Sequence, residues 1–395
     1  MNIVQALRRY DRAVSDRSEI VALELAKQLR IGGHHADCFC CPHFYEDSEK
    51  YVDSIEVQTI DPKNPDLGLQ KDIDIIHLHE YGRLGKLIRK YCIKNKKPYV
   101  VSLHNGPGKV LTKELKSFLD RSVYELGKIV SPTFKILRDA SGIICVNPKD
   151  MEFIRTAFPD KLIANISNGV HPDTFNHGNA NAFKKAYGIP LDAKILLCAG
   201  KICEGMNQLA AIQMFKELAK IHPTLHLVFV GVIQDKIYFD QILNCIHKNR
   251  LENDFTHISW FERHNNMLVN AYHAADVFLF PATEETFSRE ILEAWASKKP
   301  VVATEIEGTT QMVRDGENGF LYPHHDLTLG ANLINELLSD WPLRNRLACS
   351  GRETVCSNFT WEQVAQKHLS LYESAKRTSS SFTYFDAEEP ELVKT

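Results

Sequence analysis

The sequence lacks any long apolar run. Nothing in it approaches the ~18–20 residues that a membrane-spanning helix needs, so no spanning helix is expected. Between Met1 and Asp11 there is no apolar stretch ahead of the charges, and a secretory leader is not expected. Nor is there a surplus of one charge. Lys and Arg number 47 against 50 Asp and Glu, a net charge of −3. That balance excludes a generally basic nucleic-acid binder, though not a local basic patch. No short-period repeat is visible. The ten cysteines lack regular spacing, and several, such as Cys145, sit inside apolar runs. They read as small buried hydrophobes in a reducing, cytoplasmic compartment. His34, His35, Cys38, Cys40, Cys41 and His43 crowd together. They contain no C-x-x-C pair and lack a second ligand pair, so a strand is expected there and no metal.

What is present is enough apolar material for two or three domains: 395 residues, 44% hydrophobic and 25% charged. Short apolar runs alternate with helical stretches. Strands are expected over 3–7, 73–78, 99–103, 142–146 and 162–166. The rhythm repeats over 195–199, 225–230, 256–259, 277–280, 301–304 and 320–322. Several runs are near-continuous in Val, Ile, Leu and Phe, as in strands covered on both faces. Helices are expected over 20–29, 207–221 and 326–338. The alternation predicts an α/β protein with parallel sheets and right-handed crossovers. It pauses at Asn168-Gly169-Val170-His171-Pro172-Asp173, which is turn chemistry, followed by a polar stretch from His177. The chain is therefore cut near residue 175 into two doubly wound halves, 1–175 and 176–360, with a hinge between Val170 and Asn181. A last helix over about 361–375 returns to the first half, and the polar, acidic tail 376–395 is expected to be disordered.

The loop after strand 277–280 carries Glu285, and Glu293 follows about two turns into a helix. Ile291, Leu292, Ala294 and Trp295 surround Glu293, and a carboxylate among them needs hydrogen-bond donors. Ribose hydroxyls are suitable. The helix start near Ser288 offers free N–H groups and a positive dipole end to a diphosphate, and Glu285 is placed to meet sugar hydroxyls. The spacing alone serves equally well an ordinary capped helix with a Glu–Lys pair.

Glu285 through Glu293 resembles the E-x7-E motif of the retaining glycosyltransferases of glycosyltransferase family 4. Asn168-Gly169-Val170-His171-Pro172-Asp173-Thr174-Phe175 is similar to that family's N-G-V-D-x-x-x-F segment. Ala274-Ala275-Asp276-Val277-Phe278-Leu279-Phe280-Pro281 resembles its A-D-V-hydrophobic-P strand. Pro300-Val301-Val302-Ala303-Thr304 and Asp315-Gly316-Glu317-Asn318-Gly319-Phe320-Leu321 complete the pattern. The resemblance implies a GT-B fold, two Rossmann-like domains facing across a cleft, a nucleotide-sugar donor and no required metal or cofactor. It implies that Glu285 contacts the transferred sugar, that Thr286, Phe287 and Ser288 offer main-chain N–H groups, and that Glu293 holds the ribose. The diphosphate element departs from the family: Gly200-Lys201-Ile202-Cys203-Glu204-Gly205-Met206 has Lys201 where an Arg usually stands, a shortened loop and no second basic residue. Lys is a point charge without the bidentate grip of Arg, so Arg263 or Arg289 is expected to assist.

The strand 99–103 leads into His104-Asn105-Gly106, similar to the family's T-H-x segment; His104 is expected there to bond the transferring sugar or leaving phosphate, or to shuttle a proton, with a buried turn histidine as the alternative. His77 and His79 flank Leu78 on one strand face and are read as structural. The first loop lacks the family's Gly-Gly turn and carries Arg8, Arg9, Arg12 and Arg17, which suggests an anionic acceptor as readily as a solvated loop. Between Tyr81 and Lys97 lie Arg83, Lys86, Arg89, Lys90, Lys94, Lys96 and Lys97 with no acid among them. With Leu84, Leu87, Ile88 and Tyr91 at helical spacing, this is a basic amphipathic helix, a solvated face or a contact with an anionic inner leaflet. The expected function is a cytoplasmic retaining transferase, at the inner face of the membrane if the basic helix meets an anionic leaflet. It moves a sugar from a UDP or GDP sugar to a glycan, lipid-linked or surface-polymer acceptor, and takes no nucleic acid. A sugar-nucleotide epimerase of the same architecture and a non-catalytic partner subunit are the alternatives.

Overall fold

The computed structural model describes residues 1–7, 17–40, 51–52, 55–61, 67–69, 72–104, 132–259 and 266–379. The chain forms two compact units, Met1–Ile166 with Ala365–Thr395, and Ser167–Val364.

The first unit is built on an eight-stranded sheet. Its strands are β1 (Asn2–Leu7), β2 (His35–Cys40), β3 (Tyr51–Val52), β4 (Ile55–Thr59), β5 (Ile75–Leu78), β6 (Tyr99–Leu103), β7 (Gly142–Cys145) and β8 (Ile163–Asn165). They lie in the order β3-β4-β2-β1-β5-β6-β7-β8. All neighbours run parallel except the β3–β4 edge pair. Every residue of β5, β6 and β7 is buried, which is why these strands read as continuous apolar runs. Helix Arg83–Asn95 buries Leu84, Ile88, Tyr91 and Cys92 in one core with Val101, Leu103 and Phe134. Each such aliphatic side chain contributes roughly 1.5–3 kcal/mol by leaving water.

The second unit carries six parallel strands: β9 (Lys194–Ala199), β10 (Leu225–Val230), β11 (Phe255–Ile258), β12 (Val277–Phe280), β13 (Val301–Thr304) and β14 (Phe320–Tyr322). Their order is β11-β10-β9-β12-β13-β14. Five of the eleven expected strands have the predicted bounds, and the other six differ by one or two residues at their ends. β3 and β4, with too few residues to carry a period, were not expected.

The stretch expected to act as a hinge is fastened to the second unit. The Val170 N–H donates to the Phe359 carbonyl at 2.9 Å and the Trp361 N–H returns to the Val170 carbonyl at 3.3 Å. Arg352 reaches the Pro172 carbonyl at 3.0 Å and Asn176 Oδ1 at 2.5 Å, and the Asn179 N–H donates to Asn270 at 2.7 Å. Gly169 is needed there because a Cβ would lie 2.7 Å from the Trp361 ring.

Helix Trp341–Asn358 was not anticipated. Its buried positions include Ala348 and Gly351, small residues that give no apolar signal. Gly351 lets it approach helix Arg289–Ala296: a Cβ would meet the Trp295 indole. The last helix, Trp361–Ser379, runs past Lys376 into the segment expected to be disordered, and the rest of the tail lies outside the described residues. In the cysteine–histidine cluster, Cys38 and Cys40 are buried in β2, and burial pushes the Cys38 thiol up to about 12. Cys41 and His43 lie outside the described residues.

Candidate functional site

In the second unit the strand order reverses between β9 and β12. Connections leave these two strands toward opposite faces, which opens a crevice beyond their carboxyl ends. The loop after β9 carries Lys201, and the loop after β12 carries Glu285.

The β9 loop turns sharply. Gly200 and Gly231 have φ of +135° and +155°, and a Cβ on Gly231 would fall 1.8 Å from the Gly200 carbonyl oxygen. The Ile202 N–H donates to the Val232 carbonyl at 2.9 Å, and Ile202 accepts in turn from the Gln234 and Asp235 N–H groups. Gln208 ties down the Lys201 carbonyl at 2.8 Å while the Lys201 residue stays exposed. The Gly205 carbonyl then accepts from the Thr283 N–H at 2.9 Å and the Glu284 N–H at 3.4 Å. That clamp brings the Lys201 and Glu285 loops together at the switch point.

Glu285 accepts through Oε1 from the N–H groups of Thr286 at 2.8 Å and Phe287 at 3.4 Å. Two of the main-chain donors expected to serve the donor substrate are thus turned to the Glu285 carboxylate. Ser288 caps helix Arg289–Ala296 through its own Oγ, which accepts from the Ile291 N–H at 3.3 Å. Phe287 is buried, 6.0 Å from the Phe359 ring. Both side chains therefore do structural work. Gln311 donates to the Thr286 carbonyl at 2.8 Å. Gly308 packs so closely on this loop that a Cβ would lie 2.3 Å from the Glu285 carbonyl oxygen.

Glu293 is 12% exposed. Tyr272, fully buried on helix Met267–Ala274, donates its hydroxyl to Oε2 at 2.8 Å, and Arg289 approaches Oε1 at 3.3 Å. Burial pushes the Glu293 carboxyl above its usual range, against the lowering effect of Arg289 and the Tyr272 bond. Burial and the neighbouring Glu293 push the Tyr272 phenol well up. Arg289, expected to assist with diphosphate, is paired with Glu293. Tyr272 and Gln311 escaped sequence reasoning because each reaches the site from a separate element. Some motif residues support the fold: Asp276 accepts from the Ile195 N–H at 2.9 Å and pairs with Arg344 at 3.2 Å. Asn318, fully buried, accepts from the Arg314 N–H at 2.7 Å.

In the first unit His104 follows β6 and is 8% exposed. Its Nε2 meets His79 Nδ1 at 2.9 Å, and His79 Nε2 meets Gln5 Oε1 at 2.7 Å. His77 Nδ1 meets the Tyr372 hydroxyl at 2.7 Å, and its Nε2 meets Ser102 Oγ at 2.7 Å. Gln5 Nε2 donates to the Tyr372 hydroxyl at 3.4 Å. Burial, reinforced by the neighbouring imidazoles, holds His77 and His79 well below the ordinary histidine value. The basic helix Arg83–Asn95 exposes Arg83, Lys86, Lys90 and Lys94, while its apolar face is buried in the protein. Arg89 is paired with Asp139. A groove of about 370 Å³ beside this helix is lined by Arg83, Lys86, Arg89, Lys90 and Lys135. Arg12, Asn105, Gly106 and Arg263 lie outside the described residues, as does the side chain of Arg17, which opens helix Arg17–Ile31. No helix among the described residues is long and apolar enough to cross a membrane.

Two family models match consecutive parts of the chain. Glycosyltransferase Family 4 matches residues 18–174, and Glycosyl transferases group 1 matches residues 179–354. D-inositol 3-phosphate glycosyltransferase of Corynebacterium diphtheriae is 29% identical over 255 residues, 60% of this chain and 57% of that protein. A protein of the same name from Stackebrandtia nassauensis is 32% identical over 55% of this chain and 50% of its own length. The matches thus span about half the length of these relatives. Among solved structures, Anabaena HepE in complex with UDP and glucose is 18% identical with a TM-score of 0.75, covering 95% of this chain and 100% of that one. Two parallel-sheet units, the switch-point loops and the two adjoining family matches lead to one assignment: the chain belongs to the glycosyltransferase family 4 type and has the GT-B fold.

Proposed function

We propose that this chain is a retaining, metal-independent glycosyltransferase that moves a sugar from a nucleoside-diphosphate sugar, UDP or GDP, to a glycan, lipid-linked or surface-polymer acceptor. The observation that carries it is the joining of the Lys201 and Glu285 loops by the Gly205 carbonyl at the switch point of the second sheet. The complex of Anabaena HepE with UDP and glucose supports the donor class. In this reading Glu285 holds the transferred sugar, Glu293 the ribose, and Lys201, aided by Arg263, the diphosphate. The Thr286 and Phe287 N–H groups turn to the donor once Glu285 swings onto the sugar, and Ser288 holds the helix start in place.

His104 contacts the transferring group from the first unit. Arg12, Arg17, Asn105 and Gly106 belong to the acceptor side. The leaving phosphate takes the acceptor proton, so no protein nucleophile and no cofactor is required. The basic groove beside helix Arg83–Asn95 supports an anionic acceptor or a peripheral position on an anionic inner leaflet. The division into an acceptor-side half, 1–175 with the returning helix, and a donor-side half, 176–360, belongs to the same reading.

Screening UDP, GDP, ADP and dTDP sugars for nucleotide release tests the proposal. One donor class should turn over, and Glu285→Ala should lower that turnover about a hundredfold while the circular dichroism spectrum is kept. Clean conversion of a donor to its isomer without acceptor would point to an epimerase. Absence of nucleotide binding by calorimetry at millimolar donor would point to a non-catalytic subunit.

A further inference from the structure

A neutral imidazole has one N–H donor and one bare acceptor nitrogen. A chain of buried imidazoles with partners at both nitrogens therefore has a determinate proton order. In the first unit, Gln5, His77, His79, Ser102, His104 and Tyr372 form such a chain, and each of them is buried. The Gln5 amide sets the direction. Its Oε1 accepts, so the His79 Nε2 at 2.7 Å carries a proton. His79 Nδ1 is then bare, and His104 must donate to it from Nε2 across 2.9 Å. On the other side Gln5 Nε2 donates to the Tyr372 oxygen, whose own proton goes to His77 Nδ1 at 2.7 Å. His77 Nε2–H then donates to Ser102 Oγ at 2.7 Å. A charged ring would carry two protons and break this order. The His77 and His79 ring centroids are 3.9 Å apart, and His368 lies 5.5 Å from His77, so like-charge repulsion adds to desolvation in keeping the rings neutral.

We infer that this chain is a tautomer relay: it holds His104 with its proton on Nε2 and so turns Nδ1 into a hydrogen-bond acceptor for a substrate hydroxyl. The inference rests on the reading of His104 as a substrate contact and deepens it. In this form His104 receives a hydroxyl hydrogen bond and gives none to the leaving phosphate. Gln5, His79 and Tyr372 are positioning residues that act through His104. The last helix thereby supplies a side chain, Tyr372, to the acceptor-side unit's chemistry. Turning the Gln5 amide over would reverse every bond in the chain and place the His104 proton on Nδ1, so a tautomer measurement has two clear outcomes.

The test is nuclear magnetic resonance of histidine-labelled full-length protein, read at the ring nitrogens. The expected result is Nε2–H at His77, His79 and His104. Gln5→Leu and Tyr372→Phe should each produce a mixture of tautomers at His104. With the donor selected by the screen above, each should lower kcat about tenfold with KM for donor nearly unchanged, the scale of one lost hydrogen bond. Tyr372→Phe keeps the ring packing and serves where Gln5→Leu does not fold. Nδ1–H at His104 in the wild type, or an Nε2–H form indifferent to both substitutions, overturns the relay. Full turnover in His104→Ala with the tautomers as expected overturns instead the substrate contact beneath it.

Discussion

Glu293 shows what a buried carboxylate demands. Among Ile291, Leu292 and Trp295 its charge is costly, and Tyr272 and Arg289 meet that cost with one hydrogen bond at 2.8 Å and one ion pair at 3.3 Å. Removing the Tyr272 hydroxyl leaves an ionisable group short of a donor inside the protein. Tyr272→Phe should therefore lower stability by about 1–3 kcal/mol, read as a shift in the urea midpoint with unchanged slope. On the proposed reading of Glu293 as the ribose contact, it should also loosen nucleotide binding, because Glu293 loses its fixed orientation. The buried histidines make a prediction along the pH axis. His77 and His79 lie well below their ordinary 6.5 in the folded chain. Below that value the unfolded chain binds protons that the folded chain refuses, so stability present above about pH 6.5 is lost as pH falls through it. Each ring adds a slope of up to about 1.4 kcal/mol per pH unit. Urea midpoints that stay flat from about pH 7.5 to 5.5 would show that the rings titrate normally. Glu285 and Glu293 stood out in the sequence through their resemblance to the E-x7-E motif, since their spacing alone serves an ordinary capped helix equally well. Tyr272 and Gln311 did not, because each meets the site from a distant stretch of chain and carries no local pattern.

Among elements, the glycine turns after β9 and β10 decide whether the Lys201 loop can form. Gly231 has φ of +155° and faces the Gly200 carbonyl oxygen, whereas Gly188 at φ +66° has open space around its would-be Cβ. Gly188→Ala carries conformational strain alone, about 1–2 kcal/mol. Gly231→Ala carries strain and a collision with backbone, so its urea midpoint should fall well below that of Gly188→Ala, and its affinity for nucleotide should drop with it. Equal midpoints for the two variants would refute the close approach. The same contrast explains what the sequence could disclose about elements. Central strands announce themselves because both faces are buried and every position is apolar, as in Val277–Phe280. Helix Trp341–Asn358 gives no such sign: its contact with Trp295 depends on the absence of a side chain at Gly351. The β3–β4 edge has two and five residues, too short for a period-2 pattern to rise above chance.

For the molecule as a whole, a net charge of −3 describes a sum and not a surface. Helix Arg83–Asn95 buries its apolar face among Leu84, Ile88 and Tyr91, so that face is not available to enter a bilayer. What remains outward is charge: Arg83, Lys86, Lys90 and Lys94. Contact with a membrane must then be electrostatic, about 1 kcal/mol for each basic side chain near an anionic surface. It must also weaken as salt shortens the screening length. Co-sedimentation with phosphatidylglycerol-containing vesicles at low salt should therefore pull the protein down, and physiological salt should release much of it. Lys86→Glu, Lys90→Glu and Lys94→Glu should each lower the partition coefficient at least about fivefold, since 1 kcal/mol is roughly that factor. Nucleotide affinity measured by calorimetry in solution should be unaffected, because the helix belongs to the other unit. Equal binding to zwitterionic vesicles, or binding that survives all three reversals, would mean that this basic face serves an acceptor or solvent and not a membrane.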